Sequence, residues 1–390
     1  MRYNIPPPAP ATRIVPSFAR RAAFALGGIA AVAARLLTAP WRARLARRRG
    51  ADAPVFLYEP YGMGDVVALQ PLVLAHLAAG RKVVLAAKPA WGCLVPPHPA
   101  FTFAPVSPAY TAYDPARKSR GFFRDAWALA KALRPHAAGA DAIDVRGDVR
   151  SLVILYLAGC GRVRTLPRYF TANDCRVAPF AAPFVELRRD VSRRRVNAAF
   201  APPGAELQRP TLKHLMPAGV VVPDPRRVGL VPLTPWAGKR WPPERWREIA
   251  QKLKASGRAP VVLCGPGERA AALAAAGCGA DDVECREADG VRKWVALLAK
   301  CGAVVTVNTG PMHLADALDK PLVVIEGGSR LPLWAPEGER AFVVHHQTAA
   351  GCAPCHQVGD AGCGRRCLAL IRVDEVLEAL RAVESPGGSR

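Results

Sequence analysis

The stretch Val304–Glu326, VVTVNTGPMHLADALDKPLVVIE, decides the fold class of this chain. An apolar run typical of a β-strand ends at the turn NTGP (308–311), a helical segment carrying His313 follows, and a second apolar run closes the stretch. This order predicts a strand–turn–helix–strand unit. Open α/β sheets bind ligands at the carboxyl ends of their strands, because loop backbone and helix N-termini present N–H groups to an anion. Thr309, Gly310 and His313 therefore predict a site for a phosphate group or a nucleotide sugar.

Outside this stretch, short apolar runs alternate with helical segments from Pro54 onward, which is typical of parallel sheets. The strand candidates form two series, at Val55–Tyr58, Lys82–Ala87, Phe101–Val106, Ala142–Val145 and Arg162–Leu166, and then at Val228–Leu233, Pro260–Cys264 and the two runs quoted above. The Arg- and Pro-rich segment Arg188–Pro225 lacks a clear period and contains the connection between the series. We therefore expect an α/β protein with two domains, residues 51–205 and 206–390, after an N-terminal extension of residues 1–50.

The charge of the chain limits its partners. A formal net charge of +23 over 390 residues favours phosphate-rich partners, namely nucleic acid, anionic lipid or nucleotide sugars. The sequence has no zinc-finger, RNA-recognition or helix-turn-helix signature, and few aromatic residues are interleaved with its basic ones. Nucleic acid is therefore the weaker interpretation and is not the expected partner, and a basic nucleic-acid-associated protein stays as a third alternative.

The first fifty residues are unusually basic. No acidic residue precedes Asp52, and arginines surround the apolar stretch Ala22–Ala34. That stretch is shorter than the roughly 20 residues needed to span a bilayer, and the arginines after it oppose translocation. Two interpretations stay open. One is an amphipathic helix lying on an anionic membrane with Trp41 at headgroup depth, and the other is a disordered basic extension.

Four motifs, in order along the chain, resemble those of the lipopolysaccharide heptosyltransferases, glycosyltransferase family 9. The segment NTGPMHL (308–314) is similar to the family's Asp-Thr-Gly-x-x-His-Leu signature, with Asn308 where the family usually has Asp. YEPYGMGDVV (58–67) resembles its first loop, AIDVRGDVRS (142–151) its Ile-Asp-Leu-x-Gly strand end, and KRWPPERW (239–246) its Lys-x-Trp-Pro-x-Glu helix start. The resemblance implies a GT-B-like fold, with two Rossmann-like domains, one for the acceptor and one for the donor, facing each other across a cleft.

The same resemblance implies an activity. We expect an inverting glycosyltransferase that transfers a sugar, heptose by resemblance, from an ADP-sugar donor to a lipopolysaccharide core or a related lipid-linked glycan. No cofactor is expected, and because no Asp-x-Asp pair stands in a metal-binding strand–loop context, we expect metal-independent chemistry. The expected location is cytoplasmic, peripheral on the anionic inner face of the bacterial inner membrane. The alternative is a non-catalytic nucleotide-sugar or glycan-binding protein with the same fold.

Five residues receive roles from the motifs together with the chemistry. Asp65 is the expected catalytic base by resemblance, although Asp before an apolar helix is also a common N-cap. Lys239 and Thr234 follow the strand candidate Val228–Leu233, where a lysine can neutralise a leaving diphosphate, whereas outside a family context Lys239 would be an ordinary solvated lysine. The turn GPGE (265–268) after Cys264 resembles the family's nucleotide-side loop, which implies that Glu268 reaches a ribose hydroxyl. Asn308 is expected to contribute to donor binding.

Eleven cysteines without a secretory signal indicate reduced thiols in a cytoplasmic setting. Four of them form a local cluster with metal-ligand spacing: Cys352, Cys355, Cys363 and Cys367. Thiolates at such spacing form small structural zinc sites. A structural zinc ion, free thiols and a local disulfide stay open as alternatives.

Overall fold

The structure is a computed structural model that describes residues 18–111, 121–166, 191–218, 222–329, 331–350 and 364–385. Its backbone contacts divide the chain into two compact units, one spanning Arg13–Gln208 and the other beginning at Arg209. Each unit contains one parallel sheet with helices. The division therefore falls close to the boundary between residues 205 and 206 that the sequence predicts.

The first unit is built on a sheet in which all neighbouring strands are parallel, in the order β3-β2-β1-β4-β5. The strands are β1 Val55–Glu59, β2 Val83–Ala87, β3 Phe101–Pro105, β4 Asp141–Asp144 and β5 Arg162–Thr165. The helices are α1 Phe18–Arg49, α2 Met63–Ala78, α3 Phe122–Ala137, α4 Val149–Leu157 and α5 Arg193–Asn197. Every residue of β1 is buried, as expected for the central strand of a sheet covered on both faces.

Helix α1 is part of this unit. It packs along α4, and its Ala31 and Ala34 belong to the same hydrophobic core as the sheet. Arg42 is 7% exposed and donates hydrogen bonds to the carbonyls of Cys160 and Gly161, both at 3.1 Å. Residues 18–49 are therefore a packed helix, whereas the sequence assigns them to an extension that precedes the first domain. Of the predicted extension of residues 1–50, residues 1–17 lie outside the described residues.

The second unit has a sheet of parallel neighbours in the order β11-β10-β9-β6-β7-β8. The strands are β6 Asp224–Val231, β7 Ala259–Cys264, β8 Glu284–Glu287, β9 Cys301–Val307, β10 Leu322–Glu326 and β11 Ala341–His345. The helices are α6 Pro243–Ala255, α7 Arg269–Ala275, α8 Val291–Lys300, α9 Gly310–Ala317, α10 Leu331–Trp334, α11 Gln347–Ala350, α12 Arg366–Ala369 and α13 Val373–Glu384. The predicted strand–turn–helix–strand unit is present as β9, α9 and β10.

Both strand orders create a switch point, where the chain leaves a central strand on one side and later returns on the other. The switch lies between β1 and β4 in the first sheet and between β6 and β9 in the second. Ligands of doubly wound α/β sheets bind outside the carboxyl ends of the strands at this point. The two switch points are therefore the places to look for functional side chains. Within the residues described here, no helix is both long and apolar enough to cross a membrane.

Candidate functional site

The polar cluster of the first unit lies where β1 and β4 end side by side. Glu59 is the last residue of β1 and Asp144 the last of β4, and the two strands pair in parallel up to Tyr58 and Asp144. Both carboxyl side chains are fully buried, at 0% exposure. Helices α2 and α4 begin just after these strands, so their N-termini also lie at this edge of the sheet.

Asp65 lies in the first turn of α2 and its side chain turns back to the start of the helix. Its Oδ2 accepts the N–H of Gly62 at 2.8 Å and also contacts the Arg146 guanidinium. A Cβ atom at residue 62 would lie 2.5 Å from that oxygen, so a larger residue there would displace the carboxylate. The side chain of Asp65 is 14% exposed, and within the described parts of the chain no donor contacts its Oδ1. Asp65 is thus a helix cap that still has one oxygen available to a substrate hydroxyl.

Arg146 connects Asp65 to the buried Glu59. Its Nε donates to the two Glu59 oxygens at 3.0 and 2.8 Å, and its guanidinium carbon lies 4.4 Å from the centre of the Tyr61 ring. Burial opposes the charged form of Arg146, yet Asp65 and Glu59 together hold its pKa above the usual value. Burial also raises the pKa of Glu59, and Arg146 opposes that shift. The guanidinium therefore fixes the orientation of the Asp65 carboxylate.

Two further carboxylates at this edge are enclosed by protein. Asp144 accepts the Thr165 hydroxyl at 2.7 Å and the backbone N–H groups of Arg146 and Asp148, both at 3.1 Å. Burial raises the pKa of Asp144 to about 7 in spite of these donors. Asp148 is 4% exposed and caps α4 by accepting the N–H of Arg150 at 2.9 Å. Both carboxylates are therefore less accessible to a substrate than Asp65.

The polar cluster of the second unit lies where β6 and β9 end. Lys239, in a short 3₁₀ helix after β6, donates from Nζ to the carbonyl of Asn308 at 3.0 Å and lies 3.5 Å from the Asn308 Oδ1. Asn308 directly follows β9. The switch point thus brings together two predicted site residues that are 69 positions apart in the sequence. This contact fixes the position of the Lys239 ammonium, as expected for a lysine that binds a ligand.

Glu326 is a member of this cluster that the sequence does not predict. It is the last residue of β10 and is 0% exposed. Its Oε2 accepts the Asn308 Nδ2 at 2.5 Å, and its Oε1 accepts the N–H of Ser329 at 3.1 Å. The signal that could have found it is an acidic residue closing an otherwise apolar strand.

The predicted Thr309, Gly310 and His313 lie at the start of α9. Thr309 is the N-cap residue in extended backbone conformation, but its hydroxyl makes no capping hydrogen bond, and Gly310 is the first helical residue. The His313 ring packs edge-on against Trp334, with 6.2 Å between ring centres. All three predicted residues are partly exposed. They therefore present polar groups at the ligand-binding end of the sheet.

Glu268 uses the same turn geometry as Asp65. It follows β7, and its Oε2 accepts the N–H of Gly265 at 2.8 Å. A Cβ atom at residue 265 would lie 2.7 Å from that oxygen. The Glu268 side chain is exposed. Across the described ranges no hydrogen bond or ion pair joins it to Lys239 or Asn308, so it stands apart from their cluster.

Thr234 forms hydrogen bonds within the loop between β6 and Lys239. It is 1% exposed, its hydroxyl accepts the N–H of Trp236 at 3.3 Å, and its carbonyl accepts Nε of Arg240 at 3.2 Å. These contacts stabilise the turn that carries Lys239. Its direct contact with a donor stays a prediction.

The predicted zinc ligands Cys352, Cys355 and Cys363 lie outside the described residues. Cys367 is 3% exposed and packs in the core of the second unit. Among the side chains that the structure does describe, no three His, Cys, Asp or Glu residues are grouped as metal ligands would be. The zinc site stays a prediction.

The sequence matches known proteins over much of its length. The family model described as glycosyltransferase family 9 (heptosyltransferase) matches residues 127–361. Lipopolysaccharide heptosyltransferase 2 of Salmonella typhimurium is 34% identical over 159 residues, which are 38% of this chain and 44% of that protein. The chain thus aligns with less than half the length of this relative.

Solved structures share the fold. E. coli heptosyltransferase WaaC with ADP has a TM-score of 0.60 at 21% identity, covering 85% of this chain and 99% of that one. The iron-containing dodecameric glycosyltransferase TibC from enterotoxigenic E. coli has a TM-score of 0.51 at 16% identity, covering 85% of this chain and 76% of that one. These likenesses, with the two parallel sheets, confirm the GT-B-like α/β fold class.

Proposed function

The chain belongs to glycosyltransferase family 9, and from that premise we propose that it is an inverting glycosyltransferase. It transfers a sugar, heptose by resemblance, from an ADP-sugar to a lipopolysaccharide core or a related surface glycan. WaaC, which shares the fold, has been solved with ADP. Similarity to the lipopolysaccharide heptosyltransferases supports the choice of donor and acceptor.

The first unit provides the base. A sugar hydroxyl is too weak an acid to ionise at neutral pH, so a carboxylate must take its proton as the new bond forms. Asp65 fits this role because its Oδ1 is available and Arg146 fixes its orientation. The acceptor oxygen attacks the anomeric carbon while Asp65 takes the hydroxyl proton. Attack opposite the leaving group inverts that carbon.

The second unit provides the leaving-group site, which we define as Lys239, Asn308, Thr309, Gly310 and His313 and call the donor site. As the bond between the anomeric carbon and the diphosphate oxygen breaks, its electron pair leaves with the diphosphate. The Lys239 ammonium neutralises the charge that develops there. The first N–H of α9 adds a partial positive charge.

The observation that carries this function is the contact of Lys239 with Asn308 at a sheet switch point, at 3.0 Å. It sets a fixed positive charge where doubly wound sheets bind nucleotides. The test is a thermal-shift panel of nucleotide sugars on the full chain, because a true donor raises Tm by mass action. ADP-heptose should stabilise the protein, and release of ADP with acceptor should follow.

A non-catalytic binding protein with this fold is the alternative, and the same panel separates it from an enzyme. Such a protein would be stabilised by the nucleotide sugar but would release no nucleoside diphosphate with any acceptor. The available oxygen of Asp65 favours the enzyme, since a binding protein has no need of a positioned base.

Lys239 also bears on the need for a metal. It provides the positive charge that a divalent ion supplies in other sugar transferases, so we propose that turnover is metal-independent. Undiminished activity in EDTA is the expected result. TibC is described as iron-containing, so a loss of activity that iron restores would contradict the proposal.

We also place the protein peripherally on the inner face of the cytoplasmic membrane. The face of α1 that points away from α4 carries exposed apolar side chains at helical spacing: Leu26, Ile29, Leu36 and Leu37, which are 67%, 65%, 65% and 83% exposed. The exposed Arg44, Arg47 and Arg48 continue the same face. We call these seven residues the α1 stripe. Apolar groups followed by arginines suit an anionic bilayer, to which each arginine contributes about 1 kcal/mol.

Trp41, which we expect at headgroup depth, is 36% exposed and also contacts the rest of its unit. Its ring lies over Arg134, 5.1 Å from the guanidinium carbon, and a Cβ atom at Gly159 would meet it at 2.7 Å. It therefore packs between α1 and the rest of the unit. The membrane contact that we propose rests on the α1 stripe.

A further inference from the structure

Glu326 is a buried carboxyl group that the proposed reaction does not use directly. Both of its oxygens accept hydrogen bonds, one from the Asn308 amide at 2.5 Å and one from the Ser329 backbone at 3.1 Å. Among the described residues no Lys or Arg forms an ion pair with it, and the ionisable group on which its charge acts is His345. Burying a carboxyl group without an ion pair lowers the stability of the folded state, so a functional role for Glu326 would account for its presence.

The hydrogen-bond partners of Asn308 fix the orientation of its side-chain amide. A carboxylate can only accept hydrogen bonds, so Glu326 requires the NH₂ side of the Asn308 amide to face it. The Oδ1 side then faces the Lys239 ammonium, which can only donate, at 3.5 Å. Lys239 also donates to the carbonyl of Asn308 at 3.0 Å. Glu326 thus determines which acceptor Asn308 offers to Lys239.

An aspartate in place of Asn308, as in the motif that this segment resembles, would change both contacts. It would form a direct ion pair with Lys239, and it would place a second carboxylate against the buried Glu326. Two carboxylates at hydrogen-bond distance strongly disfavour being ionised together. The amide of Asn308 therefore suits the carboxylate of Glu326, whereas an aspartate side chain at the same position would not.

From these contacts we propose that Glu326 is a positioning residue of the donor site. Through the Asn308 amide it holds Lys239 at the switch point, where the ammonium is in place for a diphosphate. This inference rests on the proposed function, because it assigns Lys239 to the donor.

The pairing can be tested without any ligand. Asn308→Asp should lower Tm by several degrees, because two buried carboxylates then face each other. Adding Glu326→Gln should restore most of that loss, since the glutamine amide can donate to the new carboxylate. Asp316→Asn is the control, because Asp316 is another buried carboxyl group whose partners include the N–H groups of Glu337 and Gly338. Its effect should simply add to that of Asn308→Asp. Additive losses for the Asn308 and Glu326 changes would overturn the pairing.

The role in the donor site needs a second measurement, with ADP and adenosine as probes. Glu326→Gln lets the Asn308 amide turn over and present its NH₂ group, a donor, to the Lys239 ammonium in place of Oδ1. This displaces the ammonium from its side-chain acceptor, so ADP should bind roughly ten- to a hundredfold more weakly, as for a lost charge-assisted hydrogen bond. Adenosine, which has no phosphate, should bind as before, and Asp316→Asn should leave the ratio of the two affinities unchanged.

The possible results separate the two proposals. Unchanged ADP affinity in Glu326→Gln, with intact ADP binding by the parent, would overturn the positioning role and leave the proposed function standing. Equal weakening of ADP and adenosine would also overturn it, because it would indicate general damage to the site. If the parent bound no nucleoside diphosphate, the proposed function would fail and the positioning role with it, while the ligand-free measurement would still decide the pairing of Asn308 with Glu326.

Discussion

Replacement of Asp65 by Asn separates the helix cap that this side chain forms from the role of base that we propose for it. Asn caps helices as well as Asp does, so the contact with the N–H of Gly62 at 2.8 Å survives. What disappears is the proton acceptor and the negative charge beside Arg146. A positioned base contributes about 10²–10⁴-fold to the rate, so kcat should fall by at least about a hundredfold.

The same substitution has a stability effect that the structure allows to be bounded. Arg146, with a side chain 4% exposed, would keep Glu59 as its charged partner but lose the second one. A charge-assisted hydrogen bond is worth about 1.5–3 kcal/mol, and Asn retains part of it as a neutral acceptor. In a unit of this size each kcal/mol lowers Tm by about 2–4 °C. A fall of a few degrees is therefore expected together with the kinetic loss.

Glu59→Gln is the matched control, because it removes the other carboxylate of the same guanidinium and leaves Asp65 in place. The assay is release of nucleoside diphosphate at saturating donor and acceptor, measured beside a melting curve. Both variants should lose some stability, but only Asp65→Asn should lower kcat by about a hundredfold or more. Near-normal turnover of Asp65→Asn, or equal kinetic losses in the two variants, would show that Asp65 is a structural cap and refute the assignment.

Other consequences are open to simpler tests. His313→Ala should weaken donor binding in calorimetry by about tenfold, as for one charge-assisted hydrogen bond, with little change in Tm; a large fall in Tm at unchanged affinity would make the residue structural. Leu36→Glu with Leu37→Glu should release the protein from anionic vesicles in a flotation assay, whereas Val222→Glu, at a valine of the other unit that is 76% exposed, should not. Because burial raises the pKa of Asp144 from 3.8 to about 7, the folded state binds its proton more tightly, and stability should fall as pH rises from about 4 to about 7. Urea unfolding should show this decrease, by up to about 4 kcal/mol for this group, and Asp144→Asn should lack it.

Apolar patterning predicts the central strands but not the edges of the second sheet. β1, β7, β9 and β10 are strongly apolar and lie where the sequence predicts them. β8, with the sequence ECRE, escapes prediction because an edge strand buries few side chains, here chiefly Cys285. Helix α1 is missed as a packed element for another reason. Its small alanines face α4, and side chains of that size leave little periodic signal.

In the candidate site, too, some residues can be predicted from the local sequence and others only from the fold. Asp65, Lys239 and the residues around Asn308 stand in recognisable turns after strands, so they can be found from the sequence. Their partners cannot, because Arg146 and Glu326 reach the site only through the strand order of each sheet. Parallel pairing brings together residues far apart in sequence, and no local pattern indicates which acid meets which base.

The packing of α1 on α4 bears on how far Asp65 lies from the membrane surface that we propose for the α1 stripe. With the α1 stripe on the bilayer, Asp65 belongs to the same compact unit as the membrane contact. The apolar part of that contact, Leu26 to Leu37, is about 17 Å long at 1.5 Å per residue. If the proposed membrane contact and the proposed base both hold, the packing of this unit sets the distance of Asp65 from the lipid, which a flexible tether would not do. That distance would then select lipid-linked acceptors by how far they extend from the bilayer.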